Sequence, residues 1–166
     1  MAKNKIHIGY YAIFFCFTIS LHNLEESIWL PQWSQLGLSM QQPVTPNEFH
    51  FAIIVVTALA YLTAFLFIVF PNAKLAQWAF SGFLGAMIFN AFFPHLIATI
   101  IMRIYAPGLL TGLLLIVPIH SIILYTLHKK KIVFFKEIIV SSIIVGLILL
   151  MLITILFKIG SVLINY

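Results

Sequence analysis

The chain has 166 residues, of which 63% are hydrophobic and only 8% are charged, and its mean hydropathy is +1.12. This apolar share is far above that of a soluble globular domain, so composition excludes that class and favours a protein with several membrane spans. The formal net charge is +5. Because the basic residues lie beside long apolar runs, we interpret them as topology signals and contacts with anionic lipids, and we expect no nucleic-acid partner.

Five apolar runs follow one another along the chain. A membrane-spanning helix needs roughly 17 to 25 mostly apolar residues. On that basis we predict helices at about 6–30, 49–70, 75–102, 109–127 and 133–157. Pro31 is expected to end the first helix, Pro71 the second, and the YAPG sequence at 105–108 separates the third from the fourth. The predicted fold is therefore all-α, a single polytopic membrane domain over residues 1–166 with five transmembrane helices.

The basic residues predict the orientation of these helices. One side of the predicted bundle carries seven of them, namely Lys3, Lys5, Lys74, Lys129, Lys130, Lys131 and Lys136. The other side carries two, Arg103 and Lys158. Since cytoplasmic loops are enriched in Lys and Arg, we expect the N-terminus inside and the C-terminus outside.

The HNLEE sequence at 22–26 places ionisable side chains in the outer third of the first predicted helix. His22 is three residues before Glu25 and four before Glu26, so all three share one helix face. The chain has only four acidic residues in total. Ionised groups at membrane depth are expensive and by default indicate function. An imidazole with two carboxylates can bind a divalent metal or act as an acid–base pair.

A second polar group lies at the same predicted level in the third helix. Asn90 and His95 are five residues apart, which on a straight helix points them roughly 140° apart. Pro94 predicts a kink that brings them to one side, because proline removes the hydrogen bond to the carbonyl of Asn90. Arg103 and Tyr105 follow just beyond this helix. The sequence thus predicts a polar pocket that opens toward the outer leaflet.

Three further ionisable residues are open to two interpretations. Glu48 and His50 begin the second predicted helix, where an acidic residue is favoured by the helix dipole. His120 is isolated in the fourth helix, and we interpret it as a hydrogen-bonded core histidine. The sequence leaves open whether any of the three joins the polar pocket.

Several of these residues together resemble a known family. The elements are HNLEE at 22–26, Asn90 with His95, and YAPG at 105–108 followed by Thr111 and Pro118. In this order they resemble the HXXEE family of small bacterial integral membrane proteins, over about residues 15–125. The resemblance implies a five-helix protein of the bacterial plasma membrane whose reaction is unassigned. It also implies a set of shared polar-site residues: His22, Glu25, Glu26, Asn90, His95, Tyr105, Pro107 and Gly108.

The leading functional hypothesis is a metal-dependent membrane hydrolase that acts on a lipid or lipid-like substrate. The expected ligands of a divalent ion, zinc or iron, are His22, His95 and one or both of Glu25 and Glu26, with the other carboxylate as general base. Asn90, Arg103 and Tyr105 are expected to orient the polar head of the substrate.

Three alternatives remain open from the sequence. A metal-free isomerase would use His22 and Glu26 to shuttle a proton. An ion or metal transporter would use the same residues as a binding site, although the chain lacks the internal repeats of many transporters. A non-catalytic membrane protein that assists a partner would use them as a structural polar network.

Overall fold

The computed structural model describes residues 2–36 and 42–163, with the backbone alone for residues 2–8. Its five helices are α1 (Ala2–Ser34), α2 (Pro46–Val69), α3 (Lys74–Met102), α4 (Leu109–Lys129) and α5 (Phe135–Leu163). The described residues contain no strand, which confirms the predicted all-α class. Short π-helical segments interrupt α3 at Ala91–Leu96 and α4 at Gly112–Ile116.

Four of the helices, α2 to α5, are long and apolar enough to cross a membrane. α1 is long enough but is not among these four. The physical reason is that His22, Asn23, Glu25 and Glu26 interrupt its apolar run and lower its hydropathy. The composition of the described helices therefore supports four of the five predicted spans, and the helix that falls short is the one with most of the ionisable residues.

α1 also ends later than predicted. Pro31 was expected to terminate it, but the helix continues to Ser34. A proline inside a helix leaves the carbonyl four residues earlier without its usual donor. Here that carbonyl, of Ser27, lies 3.0 Å from Nε2 of His50 in α2. Because another helix supplies a partner for the freed carbonyl, α1 continues through the proline.

The start of α2 and the end of α5 also differ from the prediction. α2 begins at Pro46 because Thr45 is its N-cap and forms a capping box with Glu48. The backbone N–H of Thr45 donates to Oε2 of Glu48 at 2.8 Å. Glu48 is thus part of a helix cap, in agreement with the interpretation of it as a helix-start acid. α5 continues beyond 157 to Leu163.

The helices pack around an aromatic core in which α1 contacts α2 and α4, while α5 contacts α2 and α3. Phe67 of α2 stacks on Phe80 of α3, with ring centroids 4.4 Å apart. α3 and α5 approach each other closely at Gly82, where a Cβ atom would lie only 2.7 Å from the Ser141 carbonyl oxygen. The N-terminal half of α3 thus packs against α2 and α5, while its C-terminal half begins with the interruption at Ala91–Leu96.

Basic side chains gather at one end of the bundle. Nζ of Lys130 donates to the Tyr11 hydroxyl at 2.9 Å, and Nζ of Lys74 lies 3.4 Å from a Glu137 carboxylate oxygen. These contacts join α1, α3, α4 and α5 at that end. The second half of α1 and the interrupted part of α3 lie at the opposite end, where the polar residues come together.

Candidate metal centre

α1 contributes two buried side chains on one face. Nε2 of His22 lies 3.7 Å from Oε1 of Glu26, one helical turn further on. His22 has no solvent exposure, and Glu26 is 8% exposed. The i,i+4 spacing in HNLEE is therefore the local cause of this pair. Burying a carboxylate is costly unless it is paired, so the pair needs further partners.

The interruption of α3 supplies one of these partners. Phe93, just before Pro94, has the non-helical angles φ −130° and ψ 113°, so the helix is broken there. As a result Nδ2 of Asn90 lies 3.0 Å from Nε2 of His95. This confirms that a kink at the proline brings the two side chains to one side.

Three potential ligand atoms meet between α1 and α3. Oε1 of Glu26 lies 3.1 Å from Nε2 of His95, and the ligand atoms of His22, Glu26 and His95 all lie within 4.8 Å of one another. Bonds of about 2.0–2.1 Å to a tetrahedral zinc ion place neighbouring ligand atoms roughly 3.3–3.4 Å apart. Oε1 of Glu26 is already near this spacing from the two ring nitrogens, at 3.7 Å from His22 and 3.1 Å from His95. Two imidazole nitrogens and one carboxylate oxygen are a donor set that suits zinc or ferrous iron.

The amide of Asn90 faces the same point. Its Nδ2 atom is 3.4 Å from Nε2 of His22, in addition to the contact with His95. Turning the amide by 180° presents its oxygen there instead, because the two orientations have the same shape. Asn90 could then bind the ion as a fourth ligand, through its oxygen, or form a hydrogen bond with a bound water.

Gly108 closes the centre from the loop between α3 and α4. Its φ is +90°, which favours glycine. A Cβ atom there would lie 2.8 Å from Cε1 of His95 and 3.0 Å from Cε1 of His22. The glycine of the YAPG sequence is therefore required both by the backbone conformation and by the close approach of two imidazole rings.

Glu25 lies outside the group formed by His22, Glu26 and His95, although it is adjacent to Glu26 in the sequence. Its oxygens accept the backbone N–H of Gly108 and that of Thr111, each at 2.9 Å. Gly108 is the N-cap of α4 and has no side chain to bind these groups. The carboxylate of Glu25 thus caps the N-terminus of α4 from another helix, where a negative charge is favoured.

Two hydroxyl groups complete the environment of Glu25. The Tyr105 hydroxyl donates to Oε1 and the Thr111 hydroxyl to Oε2. Burial and the hydrogen bond to Glu25 raise the pKa of Tyr105 to about 12, so its phenol remains a neutral donor. The Thr111 oxygen also lies 3.0 Å from Nδ1 of His22. A continuous path of hydrogen bonds therefore joins Glu25 to the imidazole of His22.

The remaining candidates lie elsewhere. Arg103 is exposed at the end of α3, with φ 55°. His50 binds the Ser27 carbonyl, as described above. His120 is fully buried between Oγ1 of Thr18 at 2.9 Å and the Leu84 carbonyl oxygen at 3.1 Å. This is the hydrogen-bonded core histidine that the sequence favoured.

The sequence predicted no role in the centre for Gly108 or Thr111, because Gly108 belonged to the break between two helices and both residues otherwise belonged only to the family resemblance. The available signal was a glycine at a helix start with no capping side chain near it, since LLT follows YAPG directly. Such a helix needs a cap from elsewhere in the chain. Glu25, an acidic residue at the same predicted membrane depth, was the candidate for this cap.

Comparison with known proteins identifies relatives over most of the chain. The model of the family described as "Protein of unknown function with HXXEE motif" matches residues 13–123. A protein of Bacillus subtilis (strain 168), described as "Uncharacterized protein YrkK", is 58% identical over 152 residues, which are 92% of this chain and 96% of that protein. No solved structure matches. The family match includes every residue of the centre and ends before α5.

Proposed function

This chain belongs to the HXXEE family, as the resemblance predicted, and we propose that it is a metal-dependent membrane enzyme acting on a lipid-like substrate. The observation that carries the proposal is the convergence of His22, Glu26 and His95, whose ligand atoms lie within 4.8 Å of one another in a buried site. Three protein ligands are the number found in catalytic zinc sites, which keep one position for water or substrate. Asn90 borders that position.

The proposed site lies within a membrane. α2 to α5 meet the length and composition of spanning helices, and α1 packs against two of them, so we place α1 in the membrane as a fifth span. The basic end, with Lys74 and Lys130, then faces the cytoplasm by the positive-inside rule. The metal centre is accordingly near the outer leaflet of a bacterial plasma membrane.

A lipid-like substrate is supported by the surface next to the centre. An open pocket of about 510 Å³ lies between the end of α1 and the loop before α4, with apolar and aromatic lining from Trp29, Trp33 and Leu110. Tyr105 lines this pocket and also binds Glu25. An apolar pocket beside a buried polar centre suits a ligand with an apolar tail and a polar head.

The chemistry divides among the residues of this centre. A divalent ion would supply Lewis-acid activation of a water and of a carbonyl or phosphoryl group. His22, His95 and Glu26 would hold it, and Asn90 would orient the reacting group. The sequence predicts Glu25 as a ligand or base. Its four hydrogen bonds, however, all go to groups at the start of α4 or just before it. In this proposal Glu25 therefore supports the site without taking up a proton.

The first test is metal content. The chain, purified in detergent without chelators, should contain about one equivalent of zinc or iron by mass spectrometry. His22→Ala, His95→Ala and Glu26→Gln should each lose it. His50→Ala is the matched control, because His50 lies at the same end of the bundle but outside the centre. Equal metal content in the parent and all three site variants would overturn the proposal.

The second test is turnover. The parent and Glu26→Gln, each reconstituted with added zinc into vesicles of phosphatidylethanolamine and phosphatidylglycerol, are compared by mass spectrometry of the lipids. A product that forms with the parent alone supports an enzyme with a lipid substrate. Lipid turnover by the parent that persists with a chelator in place of zinc would instead favour acid–base chemistry by the His95–Glu26 pair, whose ring nitrogen and carboxylate oxygen are 3.1 Å apart.

A further inference from the structure

The hydroxyl of Thr111 has partners that fix the direction of its hydrogen bonds. It has one proton, which it donates to Oε2 of Glu25. Each oxygen of the Glu25 carboxylate also accepts a hydrogen bond from a backbone N–H group, that of Gly108 or that of Thr111, and such a group can only donate. An ionised carboxylate only accepts hydrogen bonds, so it donates none back to the threonine. The Thr111 oxygen is therefore left as an acceptor toward its remaining neighbour.

That neighbour is His22. Its Nδ1 atom lies 3.0 Å from the Thr111 oxygen, so Nδ1 must hold a proton and donate. A neutral imidazole with a proton on Nδ1 has a lone pair on Nε2. Nε2 is the atom of His22 that faces Glu26 and Asn90. The direction of the Thr111 hydroxyl thus favours Nε2 as the nitrogen of His22 that is free to bind an ion.

We propose that Thr111 and Glu25 are positioning residues that hold His22 in the Nδ1-protonated tautomer, with its Nε2 lone pair facing the metal position. A partner on the second nitrogen of a ligating histidine fixes the ring and increases its basicity, and such partners typically change metal affinity 10- to 100-fold. This assigns different tasks to the two adjacent glutamates: Glu26 faces the ion, and Glu25 acts through Thr111. The metal part of the inference rests on the proposed function, while the tautomer part does not.

The test uses Thr111→Val, which removes the hydroxyl but keeps the shape and the backbone N–H, with Thr111→Ser as the matched control. Nitrogen NMR of protein labelled with ¹⁵N-histidine, freed of metal and held in detergent, reports the tautomer of His22. We expect the parent and Thr111→Ser to have the proton on Nδ1 and Thr111→Val to lose this preference. Thr111→Ala, which also lacks the hydroxyl, repeats the measurement if the valine variant does not fold.

The second readout is affinity for cobalt(II), followed by its visible absorption. Thr111→Val is expected to bind about 10- to 100-fold more weakly than the parent, and Thr111→Ser within a few-fold of it. An unchanged His22 tautomer in both variants without the hydroxyl overturns the inference, whatever the affinities. If the parent binds no metal but loses the Nδ1 proton preference on Thr111→Val, the proposed function fails and the positioning role of Thr111 stands.

Discussion

Nε2 of His50 lies 3.0 Å from the carbonyl oxygen of Ser27, the oxygen that Pro31 deprives of its helical partner. α2 therefore supplies the donor that α1 lacks. Because His50 is near the start of α2, the contact also fixes the second half of α1 against α2, close to Glu25 and Glu26. A histidine that the sequence left unassigned thus has a structural role beside the centre.

This relationship predicts a non-additive pair of substitutions. His50→Ala alone should lower stability by about 1 kcal/mol, because the Ser27 carbonyl loses its donor. In a Pro31→Ala background the restored backbone N–H binds that carbonyl, so His50→Ala should then cost little. Thermal melts in detergent of the parent, both single variants and the double variant measure the coupling. Strictly additive effects would show that the histidine does not compensate for the proline.

Gly108 gives a second prediction, directed at the metal centre. Gly108→Ala should strain the backbone at φ +90° by about 1 kcal/mol or more and push against both imidazole rings, so metal content should fall. Gly146→Ala is the control, since its Cβ would meet only the Ala86 Cβ at 3.7 Å within an ordinary helix. The measurements are melting temperature and metal content. A Gly108→Ala protein with full metal content would mean that the two rings do not need this close approach.

The features that the sequence predicted well depend on local spacing. Apolar runs predicted five helices, and the i,i+4 spacing of His22 and Glu26 predicted a shared face. The kink that joins Asn90 to His95 followed from Pro94, since a proline acts on the turn that contains it. In each case the physical cause lies within one or two helical turns, so the local sequence contains it.

The features that the sequence did not predict depend on contacts between residues of different helices. Residue spacing predicts different roles for Glu25 and Glu26, a ligand and a base, but does not decide between them, and only Glu25 meets the uncapped start of α4. The continuation of α1 past Pro31 likewise depends on His50, which is distant in sequence. Such contacts are set by the packing of whole helices, which residue spacing alone does not specify.

The orientation of the bundle gives a third prediction. Single cysteines are introduced by Lys130→Cys and Ile104→Cys in a Cys16→Ser background, because Cys16 is the chain's one cysteine. Lys130 lies at the basic end and Ile104 near the centre, where it is exposed. A membrane-impermeant thiol reagent added to intact cells should label position 104 and not position 130. Labelling of position 130 alone would mean that the basic end faces outward.

The last prediction separates the two adjacent glutamates. Glu25 uses both oxygens to accept backbone N–H groups, whereas glutamine has a single acceptor oxygen. Glu25→Gln therefore leaves one N–H at the start of α4 facing an amide NH₂, and should cost about 1–3 kcal/mol even without metal.

Glu26→Gln should behave in the opposite way. Glu26 contacts the two imidazoles of His22 and His95, and a neutral amide there removes a buried charge, so the metal-free protein should be as stable as the parent or more stable. What it should lose is stabilisation by zinc, which for the parent amounts to about 2.7 kcal/mol at a free concentration 100 times Kd. Thermal melts with a chelator and with added zinc distinguish the two variants. If Glu26→Gln responds to zinc as the parent does, then Glu26 is not a ligand and the centre does not bind metal through this carboxylate.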